Sequence, residues 1–328
     1  MSFFSAIKQL SLKYKEILII SFIVWGFFSF GLGNLISWLF FTHSSLDKFP
    51  EIDSTDRILI LAPHVDDEIL SSAGLIQRAK TIGGQVKVVY LTNGDNNIFS
   101  LIGEDKNLKI SPTEFIQLGE KRMQEALMAT QVLGLANADL IFLGFPDGGL
   151  SAMLSKFYDS VYTSQGTKFS YNPYSGTYKK EQTYTGANLV ADLEEIITDF
   201  NPTIIIAPHP RDTHSDHWAT FQFLQKTLAE TNFTGKIFAY LIHYRAYPPE
   251  KKLAMNEFLY PPKKLFSQKG WVSFDLTTEE IDKKLEAINQ NKSQINALKV
   301  SDFLHSFVKR NEIFEEIENN LVSLDEKI

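Results

Sequence analysis

At 328 residues the chain can form one large domain or two small ones, and 44% apolar with 22% charged residues allows a real buried core. A formal charge of −7 argues against nucleic acid as a partner, because that needs a basic face. The absence of cysteine excludes disulfides and thiolate metal sites, so any metal must be held by His, Asp or Glu.

The chain opens with a short segment, 1–16, followed by an uncharged, aromatic-rich run at 17–41. Twenty-five residues rising 1.5 Å each are long enough to cross the ~30 Å hydrocarbon core of a bilayer with some tilt. The run is too long for the apolar region of a cleavable signal peptide, so we expect a transmembrane helix there, with Trp25 and Trp38 as interfacial anchors. Lys8, Lys13 and Lys15 precede the span, whereas Lys48 and Arg57 beyond it are mixed with Asp47, Glu51, Asp53 and Asp56. The positive-inside rule then places the N-terminus in the cytoplasm and the large domain outside.

After a polar linker at 42–56, short apolar strands alternate with helical stretches. Strands are expected at 57–62, 86–92, 140–143, 203–207 and 237–241. Helices are expected at 67–81, 112–133, 187–200 and 214–230, with two charged helices at 278–298 and 301–321 closing the chain. Continuous apolar strands separated by helices indicate a doubly wound, Rossmann-like α/β domain with a mostly parallel sheet over 57–328. The segment 155–186 is rich in Tyr, Ser, Thr and Gly and long for a connection, so it is either a substrate-covering loop or a surface insertion.

Ligands bind beyond the carboxyl ends of strands in such sheets. Two polar clusters lie there: PHVDDE at 63–68 after the first strand, and HPRDTHSDH at 209–217 after the fourth. They hold four of the seven histidines, which concentrates any metal chemistry at these two strand ends. His64 and Asp67 are three apart across a strand-to-helix turn, and His214 and His217 share one face of a starting helix. A catalytic zinc takes three such ligands and keeps a position open. Asp66, beside a ligand, is placed to act as a base. Asp67 as a mere helix cap, Asp66 as a turn residue and His214 as an exposed helix start are the alternatives. His209 reads as a supporting or exposed residue rather than a ligand.

PHVDDE resembles the AHPDDE motif of the LmbE/PIG-L N-acetylglucosaminyl deacetylases, and HSDH their HPDH motif. TNGD at 92–95, Arg122–Leu127, LGFPDGGL at 143–150, LIHYRAYPP at 241–249 and KSQ at 292–294 also match, with Val65 standing where the family usually has proline. The resemblance implies zinc on His64, Asp67 and His217, a donor set that also binds other divalent metals such as Fe2+. It implies Asp66 as general base and a protonated His214 stabilising the oxyanion. Asp95, Arg122, Asp147, His243 and Arg245 are candidate substrate-binding residues. In the alternatives, Arg122 is a surface charge paired with Glu125 and Asp147 a simple turn residue. The expected function is removal of an N-acetyl group from an amino sugar in a glycan, glycolipid or glycoconjugate by a membrane-anchored hydrolase. A different N-acyl substrate, or a catalytically silent glycan-binding protein, is the other reading.

Overall fold

Apolar runs such as RILILA, buried along almost their whole length, form the centre of a sheet covered by helices on both faces. The computed structural model describes residues 46–96, 111–266, 270–296 and 300–318. Among these, eight strands make one sheet: β1 (Asp47–Lys48), β2 (Arg57–Ala62), β3 (Gln85–Thr92), β4 (Leu140–Phe145), β5 (Ile204–Pro208), β6 (Lys236–Tyr240), β7 (Trp271–Asp275) and β8 (Asn311–Ile317). Their order is β1-β7-β8-β6-β5-β2-β3-β4. All pairings are parallel except the two made by β8, which runs antiparallel to β6 and β7. The doubly wound expectation therefore holds, as a mixed sheet.

The connecting helices are α1 (Asp67–Thr81), α2 (Pro112–Val132), α3 (Leu150–Leu154), α4 (Gly186–Phe200) and α5 (Ser215–Glu230). They are followed by α6 (Lys263–Phe266), α7 (Thr278–Ile288), α8 (Lys292–Ile295) and α9 (Val300–His305). Local chemistry sets the ends. Pro112 opens α2, and the Glu114 carboxylate takes the backbone N–H of Ser111. The hydroxyl of Thr185 accepts from Asn188 N at 3.1 Å to start α4, which ends at Asn201 in the left-handed region. Leu59 and Leu61 join Leu143, Phe145 and the inner faces of α3, α4 and α5 in one core. Strand alternation turns Ile58 and Ile60 to the opposite face, where α1, α2 and α7 pack together.

From β2 the chain steps outward to β3 and β4, then returns to lay β5 on the other side of β2. The strand order reverses between β2 and β5, so a crevice opens at their carboxyl ends. Both polar clusters emerge there.

Three expectations change. The stretch 301–321 is not one helix. Only Val300–His305 is helical, and Asn311–Ile317 is a strand whose Phe314 is wholly buried. The helix expected at 278–298 ends at Ile288, and a separate short turn follows at Lys292–Ile295. The linker is partly sheet. Asp47 and Lys48 pair with β7, and the buried Phe49 ring lies 4.5 Å from that of Phe238. The segment 155–186 covers the edge strand β4: Tyr178 N donates to Phe142 O at 2.7 Å, and Asn172 Nδ2 to Leu143 O at 3.1 Å. The membrane helix expected at 17–41 lies outside the described residues. Among the described residues no helix is long and apolar enough to cross a membrane.

Candidate active site

The turn from β2 into α1 puts Asp66 at φ 136° and ψ −25°, an unusual conformation for a residue with a side chain. Such a residue stores roughly 1–3 kcal/mol and persists only where its surroundings hold it. The Asp66 carbonyl accepts from the amides of Ile69 and Leu70, both at 3.0 Å, and so begins the helix. Its own N–H donates to Glu68 Oε2 at 3.1 Å. The turn presents His64, Asp66 and Asp67 to a cavity of about 470 Å³.

Asp67 Oδ2 is where the two clusters meet. It accepts from the backbone N of His64 at 2.8 Å, and it lies 3.4 Å from His64 Nδ1 and 3.3 Å from His217 Nε2. Each imidazole is backed by carboxylate on its far nitrogen. His217 Nδ1 stands 3.2 Å from Asp212 Oδ2, and His64 Nε2 stands 3.4 Å from Asp147 Oδ1 and 3.6 Å from Asp216 Oδ2. Asp212 is itself fixed by three backbone amides, those of His214, Ile242 and His243, at 2.9, 3.1 and 2.9 Å. Asp216, fully buried at the start of α5, accepts from Gly148 N at 2.7 Å and Leu150 N at 3.2 Å, tying the loop after β4 to the site.

These carboxylates set the local field. Although burial opposes it, hydrogen bonds to Asp147, Asp216 and Asp67 push His64 well above its ordinary value. Against burial again, the charges of Asp67 and Asp212 raise His217 to about 10. Asp67 is held well below the usual carboxylate range by His217 and His64, despite burial. Burial, with the charge of Asp67 adding to it, lifts Asp66 to about 7. Burial, and the charges of the neighbouring His64 and His217, lower His214 to about 4. Its Nδ1 accepts from Asp216 N at 3.3 Å, which leaves the proton of the neutral ring on Nε2.

The donor set fits a divalent ion. His64, His214 and His217 offer ligand atoms within 4.8 Å of one another, as do Asp67, His217 and His243, and His64, Asp147 and Asp216. Nitrogen and oxygen donors without sulfur suit zinc and other first-row ions. Neither ring nitrogen of the fully buried His217 makes a well-directed hydrogen bond, although carboxylates flank both. That is the arrangement of a metal ligand: one nitrogen for the ion, the other oriented by a carboxylate. Proximity of positive charge is also what the three carboxylates Asp67, Asp147 and Asp212 favour.

The other expected residues divide. Asp147, Arg122 and His243 line the cavity. Arg122 is 3% exposed and donates to Gly94 O at 2.7 Å, and Glu125 instead accepts from Ser293, so the surface-pair alternative for Arg122 is ruled out. Asp147 Oδ2 accepts from Asn96 N at 3.0 Å. Asp95 lies behind the wall, where burial and the charge of Asp147 push it up to about 7 and the Tyr174 hydroxyl donates to it at 2.6 Å. Arg245 is exposed and not among the cavity's lining residues. His209 is buried, bonded to Glu315 and stacked on Trp271, as a supporting residue would be.

Asp212, Asp216, Gln294 and Phe303 were not singled out from sequence. The first two lie within the HPRDTHSDH string, where carboxylates between ligating histidines are the available signal. Gln294 and Phe303 line the cavity from α8 and α9, more than 200 residues from Asp66, and only the KSQ string hinted at the first.

Comparison with known proteins gives a fold and a family. No curated protein matches the chain in sequence. In fold it is similar to the N,N'-diacetylchitobiose deacetylase from Pyrococcus horikoshii, with a TM-score of 0.51 and 18% identity, covering 80% of this chain and 84% of that one. It is similar to the A40926 pseudoaglycone deacetylase at the same TM-score and identity, covering 80% of this chain and 97% of that one. The family model described as PIG-L, GlcNAc-PI de-N-acetylase, matches residues 59–228, just over half the chain and both halves of the site. The chain belongs to the PIG-L family of metal-dependent deacetylases.

Proposed function

We propose that this chain is a zinc-dependent hydrolase that removes the N-acetyl group of an amino sugar. The observation that carries the reading is that Asp67 Oδ2 lies 3.4 Å from His64 Nδ1 and 3.3 Å from His217 Nε2, next to Asp66 on the cavity wall. An ion held by those three residues would polarise the amide carbonyl and make the attacking water more acidic. Asp66 takes the proton from that water and returns it to the departing nitrogen, so that acetate and a free amine leave. His214, with its proton on Nε2, donates to the developing oxyanion, and loss of one such donor typically costs about 10²–10³ in rate. Asp212 and the Asp147–Asp216 pair keep the two histidine rings oriented. Arg122, Asp147 and His243 face the space that the sugar would fill.

The substrate lies in or near a membrane or the cell envelope on this reading. The uncharged run at 17–41 anchors the chain, and the lysines before it place the domain outside the cytoplasm. The domain boundaries follow: 1–16 cytoplasmic, 17–41 spanning, and the deacetylase domain from 57. One observation favours an acyl group larger than acetyl as a second reading: the apolar side chains of Leu70, Val300, Phe303 and Leu304 are among those that line the cavity.

The test is amine and acetate release from N-acetylglucosamine conjugates by the purified full-length chain. Release should stop on chelation, return with zinc, and fall about 10²–10⁴-fold in Asp66→Ala. Bound metal without release from any N-acetyl sugar would move the substrate to another N-acyl compound. Absence of bound metal would sink the reading.

A further inference from the structure

The strained turn at Asp66 needs something to hold it, and the structure places that grip far along the chain. Gln294 lies on α8 and is almost wholly buried, facing the cavity. Its Nε2 donates to Val65 O at 2.8 Å, the carbonyl of the peptide that leads into Asp66. The amide thus grips the Val65–Asp66 peptide at the strained turn. Gln294 is in turn locked. Its neighbour Ser293 donates from N to Glu125 Oε1 at 2.8 Å and from its hydroxyl to Glu125 Oε2 at 2.6 Å, and Glu125 is buried on α2. Three elements distant in sequence, the β2–α1 turn, α2 and α8, are joined through this chain of bonds.

We infer that Gln294 is a positioning residue, braced by Ser293 and Glu125, that holds Asp66 in its strained backbone conformation with the carboxylate aimed at the reacting water. The inference rests on the reading of Asp66 as the base. A buried amide replaced by an apolar residue of similar length keeps the packing but loses that bond. The carboxylate then relaxes with the turn, and a misplacement of about 1 Å is enough to cost on the order of 10²-fold in rate.

The experiment compares wild type, Gln294→Met, Asp66→Ala and the double variant, all full-length, for kcat, KM, bound metal and melting temperature. Gln294→Met should lower kcat about 10- to 100-fold with KM unchanged, while the melting temperature falls only by the few degrees that one buried hydrogen bond carries and the protein stays folded and metal-loaded at the assay temperature. In the Asp66→Ala background the same change should do nothing further, because the residue acts only through Asp66. Losses that multiply in the double variant, a kcat loss that matches the fraction of protein unfolded at the assay temperature, or an unchanged kcat would each overturn the inference. A crystal structure of Gln294→Met gives a readout independent of substrate. Asp66 should leave its positive φ, and an Asp66 that keeps it overturns the inference. Wild type releasing no amine from any N-acetyl sugar would remove the functional reading alone, leaving the structural arm to decide this one.

Discussion

Asp212 Oδ2 stands 3.2 Å from Nδ1 of His217, on the side of the ring away from Asp67. The same oxygen accepts from the amides of Ile242 and His243, so the carboxylate is fixed before it meets the imidazole. Replacing such a partner typically weakens metal binding by about 10–100-fold. We expect Asp212→Asn, which keeps an acceptor for the two amides, to lower zinc affinity by about tenfold, and Asp212→Ala to lower it further and to destabilise the fold as well. Competition with a chelating dye measures the first effect and thermal unfolding the second. Equal affinity in all three proteins would remove Asp212 from the site.

Metal and protons compete for the same nitrogens. Carboxylates raise His217 to about 10 and push His64 well above its ordinary value, yet both rings must be neutral to ligate. Zinc binding at pH 7.5 should therefore release about one to two protons, which titration calorimetry in buffers of different ionisation heat will count. The sign for stability follows. A histidine raised in the folded state stabilises the metal-free protein fully below the unfolded value near 6.5, and the contribution is lost as pH rises through about 10. The melting temperature of chelated protein should fall between pH 7 and pH 10, and that of the zinc-loaded protein much less. Parallel curves would contradict this.

The positive φ at Asp66 predicts an unusual mutational order. Glycine adopts that conformation without strain, whereas alanine does not. Asp66→Gly should be about 1 kcal/mol more stable than Asp66→Ala, with both inactive. Alanine as the more stable of the two would show that the turn is unstrained.

Lys284 and Glu312 form a 2.8 Å ion pair, each 1% exposed, and Glu312 also accepts from Gly74 N and Leu75 N within α1. Lys284→Met leaves that carboxylate buried without its counter-charge, at a cost of about 3–5 kcal/mol. Denaturant unfolding should show the loss. A change well under 1 kcal/mol would mean that the two amides suffice.

The central strands were legible because burial on both faces demands continuous apolar runs, and RILILA and VKVVYLT have no other reading. The metal-site residues were legible because short spacing fixes which side chains can meet: His64 with Asp67, and His214 with His217. What failed depends on partners distant in sequence. NEIFEEI at 311–317 carries glutamates that suit a helix. It is a strand whose Glu312 pairs with Lys284 and whose Glu315 is hydrogen-bonded to His209, 28 and 106 residues away. The grip of Gln294 on the Asp66 turn was hidden for the same reason, and Arg245 was misplaced because its position after a strand end does not fix where its side chain goes.

Strand β8 lies between β6 and β7, and β7 in turn carries β1. A chain emerging from the ribosome can lay down β2 to β6 in order, but the β1–β7 pair cannot join them until 311–317 arrives. Both metal-ligand clusters are made long before that. The nascent protein thus passes through a stage in which the ligands are present while the Gln294 grip and the sheet's far edge are not. Synthesis order then keeps the hydrolytic groups from full alignment until the domain is nearly finished.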